Sequence, residues 1–201
     1  RAVTLAGQDQ LMYEVLGKQL TISPESFFQV NLDVAEKMLE YVLSLVPTRE
    51  DQRIVELFSG AGFFSAFLAE RCSELIAIES SPSACYDFAA NLDACEHVSL
   101  YEGAVEDVLP ALAADLKPPD LVLLDPPRAG LQPAARKALQ ELHPADIIYV
   151  SCDPSTLARD LKHFCSAGYT LQSVRAFDMF PQTYHVETVV ALEASGAPDR
   201  A

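Results

Sequence analysis

The sequence predicts an α/β fold: a doubly wound, mostly parallel sheet that ends in an antiparallel strand pair and carries a small N-terminal β/α appendage. Three observations predict it. From residue 53 onward, short apolar runs alternate with amphipathic stretches of helical period. The last two apolar runs are joined only by residues 179–185, too few for a crossover helix, so they pair antiparallel. Before residue 50 the rhythm differs, with a hairpin-like segment followed by one amphipathic helix. The chain therefore divides into an appendage over 1–50, expected to contribute to the ligand site, and a sheet domain over 51–201.

Taken in order, residues 11–22 resemble a hairpin turning at Gly17 and Lys18. Asn31 opens a helix whose apolar positions Ala35, Met38, Leu39, Val42, Leu43 and Val46 follow the 3.6 period. Between them, Ser26-Phe27-Phe28-Gln29-Val30-Asn31 sets two adjacent aromatics before an amide. The plain reading makes Phe27 and Phe28 core plugs and Asn31 a helix cap. Residues 53–58, 75–79, 98–101, 120–125 and 147–151 read as buried parallel strands. Stretches near 63–72, 82–94, 104–115, 132–142 and 154–166 read as the helices between them. The runs 171–178 and 186–193 form the antiparallel pair. Right-handed crossovers put the ligand crevice beyond the carboxyl ends of the parallel strands, so function belongs just after strands.

Composition narrows the class. The chain has 201 residues, 50% of them hydrophobic, enough for one sizeable core without a disulfide or metal staple. No apolar run approaches the roughly 20 residues of a membrane-spanning helix. Fourteen basic against 29 acidic residues give a formal charge of -15, which counts against a free-standing nucleic-acid binder. The five cysteines, at 72, 85, 95, 152 and 165, are odd in number and include no C-x-x-C pair. They suggest neither a disulfide framework nor a metal site, and fit a reducing cytoplasm. The chain starts at Arg1 without a signal-like segment, and we read it as a fragment of something longer.

Four motifs sit at strand ends. Leu57-Phe58-Ser59-Gly60-Ala61-Gly62-Phe63 follows the first core strand, and its glycines permit a tight turn and close approach to a ligand. Glu79 lies at the tip of the second strand, 19 residues after Gly60, where a carboxylate can accept both ribose hydroxyls of a nucleoside. Position 65 is Ser, so the third glycine of the dinucleotide fingerprint is missing. Without that cradle for a pyrophosphate, S-adenosylmethionine is favoured over a nicotinamide dinucleotide. Asp125-Pro126-Pro127-Arg128-Ala129-Gly130 follows the fourth strand, its prolines holding Asp125 toward the crevice. Enzymes that methylate base amino groups carry an aromatic ring where Arg128 stands, so that chemistry is disfavoured. Ser151-Cys152-Asp153-Pro154 places Cys152 at a helix start, with Asp153 as N-cap and Pro154 at the first helical position. The helix dipole favours a thiolate there and the Asp153 carboxylate opposes it. The other four cysteines lie on or beside helices and read as inert buried thiols. Glu187, among Val186, Val189 and Val190, is expected to be desolvated and so raised toward the pKa of a working base, the plain alternative being a pairing partner for a nearby Lys or Arg. His185 reads as a hydrogen-bonded loop residue.

Together these segments resemble the RNA uracil-5-methyltransferase family over roughly residues 23–194. The Asp-Pro-Pro-Arg-Ala-Gly string, Ser-Cys-Asp-Pro-Ser-Thr-Leu-Ala-Arg-Asp-Leu, and Asp-Met-Phe-Pro with His-Val-Glu-Thr carry the resemblance. It implies a Rossmann-like class I methyltransferase sheet, S-adenosylmethionine as cofactor, and methyl transfer to C5 of a uridine in RNA. It further implies Cys152 as nucleophile at C6, Glu187 as base, and Gln29, Phe58, Glu79 and Asp125, beside Gly60 of the glycine turn, as cofactor contacts. Two positions depart from the family's pattern: Asp153, where Asn is usual, and Ala104, where a polar side chain is usual. Members usually carry an N-terminal RNA-binding barrel, sometimes with an iron-sulfur cluster; the resemblance implies that such a part lies outside this chain, and a basic surface there would account for the acidic charge here. The expected partner is RNA, ribosomal before transfer RNA on the Asp-Met-Phe-Pro string, with no metal, no membrane and a monomeric chain. Phe27 or Phe28 is available to stack on an extruded uridine. The alternatives are a transfer-RNA target, a non-catalytic RNA-binding module, and a nicotinamide-dependent oxidoreductase, which leaves Cys152 and the Asp-Pro-Pro turn unexplained.

Overall fold

In the computed structural model, residues 10–47 and 51–195 are described. The parts of the appendage and sheet-domain expectations that fall on 1–9, 48–50 and 196–201 lie outside the described residues. The appendage opens with β1 (Leu11–Val15) and β2 (Lys18–Ile22), paired antiparallel with Val15 opposite Lys18. The two-residue turn is therefore Leu16-Gly17, not Gly17-Lys18. Both turn residues have positive φ, 44° and 80°, because only that twist matches the flanking strands. The Leu16 N–H donates to Glu36 Oε1 at 2.9 Å. α1 (Leu32–Leu45) begins at Asn31, whose side chain accepts from the Val34 N–H, and buries Ala35, Met38, Leu39, Val42 and Leu43.

The sheet domain runs β3 (Arg53–Leu57), α2 (Ser65–Leu68), β4 (Glu74–Glu79), α3 (Pro82–Leu92), β5 (Val98–Glu102) and α4 (Val105–Ala113). It continues through β6 (Leu121–Leu124), α5 (Pro133–Leu142), β7 (Asp146–Ser151), α6 (Pro154–Ser166), β8 (Tyr169–Phe177) and β9 (Glu187–Ala194). The seven strands lie in the order β5-β4-β3-β6-β7-β9-β8. β3 to β7 are mutually parallel where they pair, and β9 runs antiparallel between β7 and β8. This is a doubly wound, Rossmann-like sheet whose winding reverses between β3 and β6, the place where such sheets open a ligand crevice. Helices cover both faces, which is why β6 and most of β3, β4 and β7 are buried runs without polar alternation.

One helix differs from its sequence pattern. The stretch 63–72 forms only the four-residue α2 and a 3-10 turn over Ala69–Arg71. Gly60 and Gly62 both hold positive φ and delay helix entry. At the other end Lys18 Nζ donates to the Ala66 carbonyl at 2.5 Å and meets Glu70 at 2.6 Å, a cap supplied from β2. β2 is also tied to α3. Asn91 accepts from the Thr21 N–H at 2.7 Å and donates to the Thr21 and Ala61 carbonyls, while buried Asp87 accepts from the Ser23 N–H at 2.8 Å and from its hydroxyl at 2.5 Å. Hairpin, α1 and one face of the sheet share a single hydrophobic core. The segment between β2 and α1 is thereby carried across the open ends of the strands.

Candidate active site

The carboxyl ends of the parallel strands, the start of β9 and the segment after β2 enclose a cavity of about 730 Å³. Gln29, Phe58, Gly60, Glu79, Asp125, Cys152 and Glu187 all line it. β9 owes its contribution to its direction. Ser151 on β7 pairs with Thr188 on β9, so the next residues outward, Cys152 and Glu187, face each other at the crevice edge. A parallel last strand would have begun at the opposite edge of the sheet.

At one end, the chain leaving β3 doubles back sharply. Phe58 has φ 62°, and the Phe58 and Ser59 N–H groups both donate to the Ile78 carbonyl, at 2.9 and 3.2 Å. The Gly60 N–H donates to Glu79 Oε2 at 2.9 Å, while Glu79 Oε1 accepts from the Ser80 and Ser81 N–H groups at 2.8 and 2.7 Å. Three backbone donors thus fill most of the carboxylate's roughly four acceptor sites and leave Oε2 room for a further donor. The two glycines do different work. A Cβ at Gly60, φ 55°, would meet nothing within 4 Å; one at Gly62, φ 89°, would strike Leu92 Cδ1 at 2.6 Å. Gly60 shapes the wall, and Gly62 lets α3 pack. The Ser59 hydroxyl, on the same wall, is buried without a hydrogen-bond partner. An orphaned hydroxyl, an open glycine face and a fixed carboxylate suit the polar groups of a nucleoside ligand.

At the other end acids converge. Asp125 is pushed up to about 8 by desolvation and by Glu187. Glu187 itself is raised by burial, with Arg128 opposing. The Cys152 thiol is raised by desolvation first and then by Glu187 and Asp125, while Arg128 and its own backbone N–H pull it down. Asp153, expected to oppose the thiolate, serves as N-cap: its carboxylate accepts from the Ser155 and Thr156 N–H groups at 2.9 Å each, bonds that hold its pKa below the ordinary value. Beneath the floor, Glu56 is 1% exposed, accepts from the Ser65 hydroxyl and is pushed up to about 8 by burial. Sequence reasoning missed it, although an acid inside Ile54-Val55-Glu56-Leu57 carries the same signal that marked Glu187.

The Asp-Pro-Pro turn is pinned from α6. Fully buried Asp160 accepts from the Leu131 N–H, the Tyr149 hydroxyl and the Arg136 and Arg159 guanidiniums, between 2.8 and 3.0 Å. The Thr156 hydroxyl donates to the Arg128 carbonyl at 3.0 Å, and Arg159 Nη2 to that of Ala129 at 3.0 Å. Gly130 packs against this network, where a Cβ would meet Asp160 Oδ2 at 2.6 Å.

The aromatic pair divides. Phe28 packs on Tyr13 and Phe63, with ring centroids 4.6 and 5.8 Å apart, and is a plug. Phe27 is 74% exposed at the cavity mouth and is not. Arg128 Nη2 reaches His185 Nε2 at 3.1 Å, and the Tyr184 ring sits 4.1 Å from that of His185. Among the remaining cysteines only Cys85 is buried; Cys72 and Cys95 are half-buried, and Cys165, on the outward face of α6, is exposed. The expectation of four buried thiols holds for Cys85 alone: Cys165 lies off the buried stripe of α6, which is Leu157, Asp160 and Phe164, and Cys72 and Cys95 sit just past the ends of their helices.

A family model described as tRNA (uracil-5-)-methyltransferase matches residues 9–195. An uncharacterized RNA methyltransferase of Thermotoga maritima is 38% identical over 189 residues, which cover 94% of this chain and 43% of that protein. One from Caldanaerobacter subterraneus is 38% identical over 193 residues, 95% of this chain and 42% of the relative. Among solved structures, the Pyrococcus abyssi tRNA (uracil-54, C5)-methyltransferase in complex with S-adenosyl-L-homocysteine superposes with a TM-score of 0.80 at 33% identity, covering 93% of this chain and 45% of that one. The M. jannaschii tRNA m1G37 methyltransferase, 17% identical with a TM-score of 0.71 over 96% of this chain and 60% of its own, shares the fold. The chain spans less than half the length of the two RNA methyltransferase relatives.

Proposed function

The chain belongs to the tRNA (uracil-5-)-methyltransferase family, and from that premise we propose that it is the catalytic part of an enzyme that methylates C5 of a uridine in RNA with S-adenosylmethionine. The observation that carries the reading is the meeting of Cys152 and Glu187 at one end of a cavity whose other end offers Glu79, Gly60 and Ser59 to a nucleoside. Gln29, Phe58, Gly60, Glu79 and Asp125 hold the cofactor, which when bound supplies an electrophilic methyl group.

Uracil C5 is too weak a nucleophile to take that group unaided. In the reaction we propose, Cys152 adds as thiolate to C6, and the C5–C6 electrons move onto the C5–C4–O4 enolate. Arg128, which favours the ionised form of both Cys152 and Glu187, faces this step. Once C5 carries the methyl group, Glu187 removes its proton, the C5=C6 bond re-forms, and the thiolate leaves. Asp125 lines the cavity at the Cys152 and Glu187 end, on the rigid Asp-Pro-Pro turn. Phe27, exposed at the mouth, is placed to stack on the extruded base.

Ribosomal RNA is our first target class, on the Asp-Met-Phe-Pro string; the transfer-RNA substrate named for the Pyrococcus abyssi neighbour keeps tRNA as the second reading. A monomer acting in the cytoplasm completes the proposal. The test is incubation with ribosomal and transfer RNA and labelled S-adenosylmethionine, followed by digestion to nucleosides. Label in 5-methyluridine supports the reading and its RNA fraction separates the targets. Label in another nucleoside overturns it.

A further inference from the structure

We propose that Glu106 reads the adenine edge of the cofactor. This rests on the reading of the cavity as an S-adenosylmethionine site. Along the crevice the strand tips present Cys152 after β7, Asp125 after β6, Phe58 to Gly60 after β3 and Glu79 at the end of β4. β5, the next strand outward, leads into α4. Neighbouring strands lie about 4.8 Å apart, so β6 and β5 are separated by roughly 14 Å, the reach of an extended nucleoside joined to an amino acid. The methyl group must be delivered beside Cys152, and the ribose belongs beside Glu79. The base therefore extends past β4 toward the start of α4.

There the wall is suited to a flat ring with one polar edge. Val105 is buried, and Ala104 offers no polar group. Glu106 is half-buried and lines the cavity, and among the described residues its carboxylate has no hydrogen-bond or ion-pair partner. The first backbone N–H groups of α4 have no intrahelical acceptor, since its ladder starts with Asp107 and Val108 donating to the Ala104 carbonyl. An acceptor carboxylate beside backbone donors is the complement of adenine, which donates from its 6-amino group and accepts at N1. Hypoxanthine reverses both signs, with a carbonyl at C6 and a proton on N1, so it sets an oxygen against the Glu106 carboxylate.

The test is calorimetric titration of the chain with S-adenosylhomocysteine and with S-inosylhomocysteine, for the wild type and the Glu106→Gln, Glu106→Ala and Glu79→Ala variants. The wild type should prefer the adenosyl ligand by about thirtyfold or more, the size of a charged hydrogen bond lost and an acceptor left unpaired. Glu106→Gln, whose amide can donate to a 6-carbonyl, should narrow the preference to within about fivefold. Glu79→Ala should weaken both ligands and leave the ratio intact, which separates base reading from general damage to the site. A ratio unchanged in both Glu106 variants overturns the assignment. Failure of the wild type to bind S-adenosylhomocysteine overturns the reading of the cavity, and the assignment with it.

Discussion

Glu56 keeps a carboxyl group beneath the cavity floor with a single hydroxyl donor, and the pH response of the fold should register it. Its folded value of about 8 lies above its ordinary 4.5. Between those pH values the folded chain retains a proton that the unfolded chain has released. Its stabilising contribution is complete below about pH 4.5 and is lost as pH rises toward 8, by at most about 1.4 kcal/mol per pH unit. Thermal unfolding should therefore show Glu56→Gln gaining on the wild type from pH 5 to pH 8; a constant or shrinking difference would count against the buried acid. Arg128 acts in the opposite sense on its neighbours. It pulls the Cys152 thiol down against desolvation, Glu187 and Asp125. In Arg128→Gln, alkylation of Cys152, followed by mass spectrometry of its peptide, should require a higher pH than in the wild type. An unchanged pH profile would remove Arg128 from the account.

The turn after β3 is the element on which the site depends, and its two glycines should fail differently. Gly62→Ala meets both a positive φ and the Leu92 side chain, so it should lower stability by about 1–3 kcal/mol in thermal or denaturant unfolding. Gly60→Ala meets only the φ cost, about 1–2 kcal/mol, and places a methyl group on the cavity wall, so it should lose ligand affinity out of proportion to stability. Equal effects of the two changes on stability and binding would contradict this division. The same element marks how far the sequence could be read. Strand tips, and the residues just beyond them, were legible because apolar runs end where Gly60, Glu79, Asp125 and Cys152 begin. The antiparallel last strand was legible because seven residues cannot hold a crossover helix. The short α2 was not, because its length depends on Lys18, 48 residues away. The exposure of Phe27 depends on how β2 docks on Asp87 and Asn91, which local pattern does not encode. Glu56 was visible in principle, as a charge inside a buried strand.

For the whole molecule, a formal charge of -15 surrounds a site whose proposed substrate is a polyanion. Arg128 is the sole Lys or Arg among the described residues that line the cavity, so the chain has little with which to grip phosphates. On long RNA its activity should be weak and should rise with moderate salt as repulsion is screened. Restoring the remaining length found in its relatives should raise activity and reverse that salt dependence. Equal turnover by chain and longer protein would show that this domain grips RNA by itself. The central claim, that the antiparallel β9 sets a base opposite a nucleophilic cysteine, is tested most directly by trapping the covalent complex. Cys152→Ser and Glu187→Gln are each incubated with a labelled uridine-containing RNA and S-adenosylmethionine and resolved by denaturing electrophoresis. Cys152→Ser should give neither adduct nor methyl transfer, whereas Glu187→Gln should transfer one methyl group and accumulate a protein–RNA adduct that elimination cannot resolve. A stable adduct with Cys152→Ser, or undiminished turnover by Glu187→Gln, would contradict it.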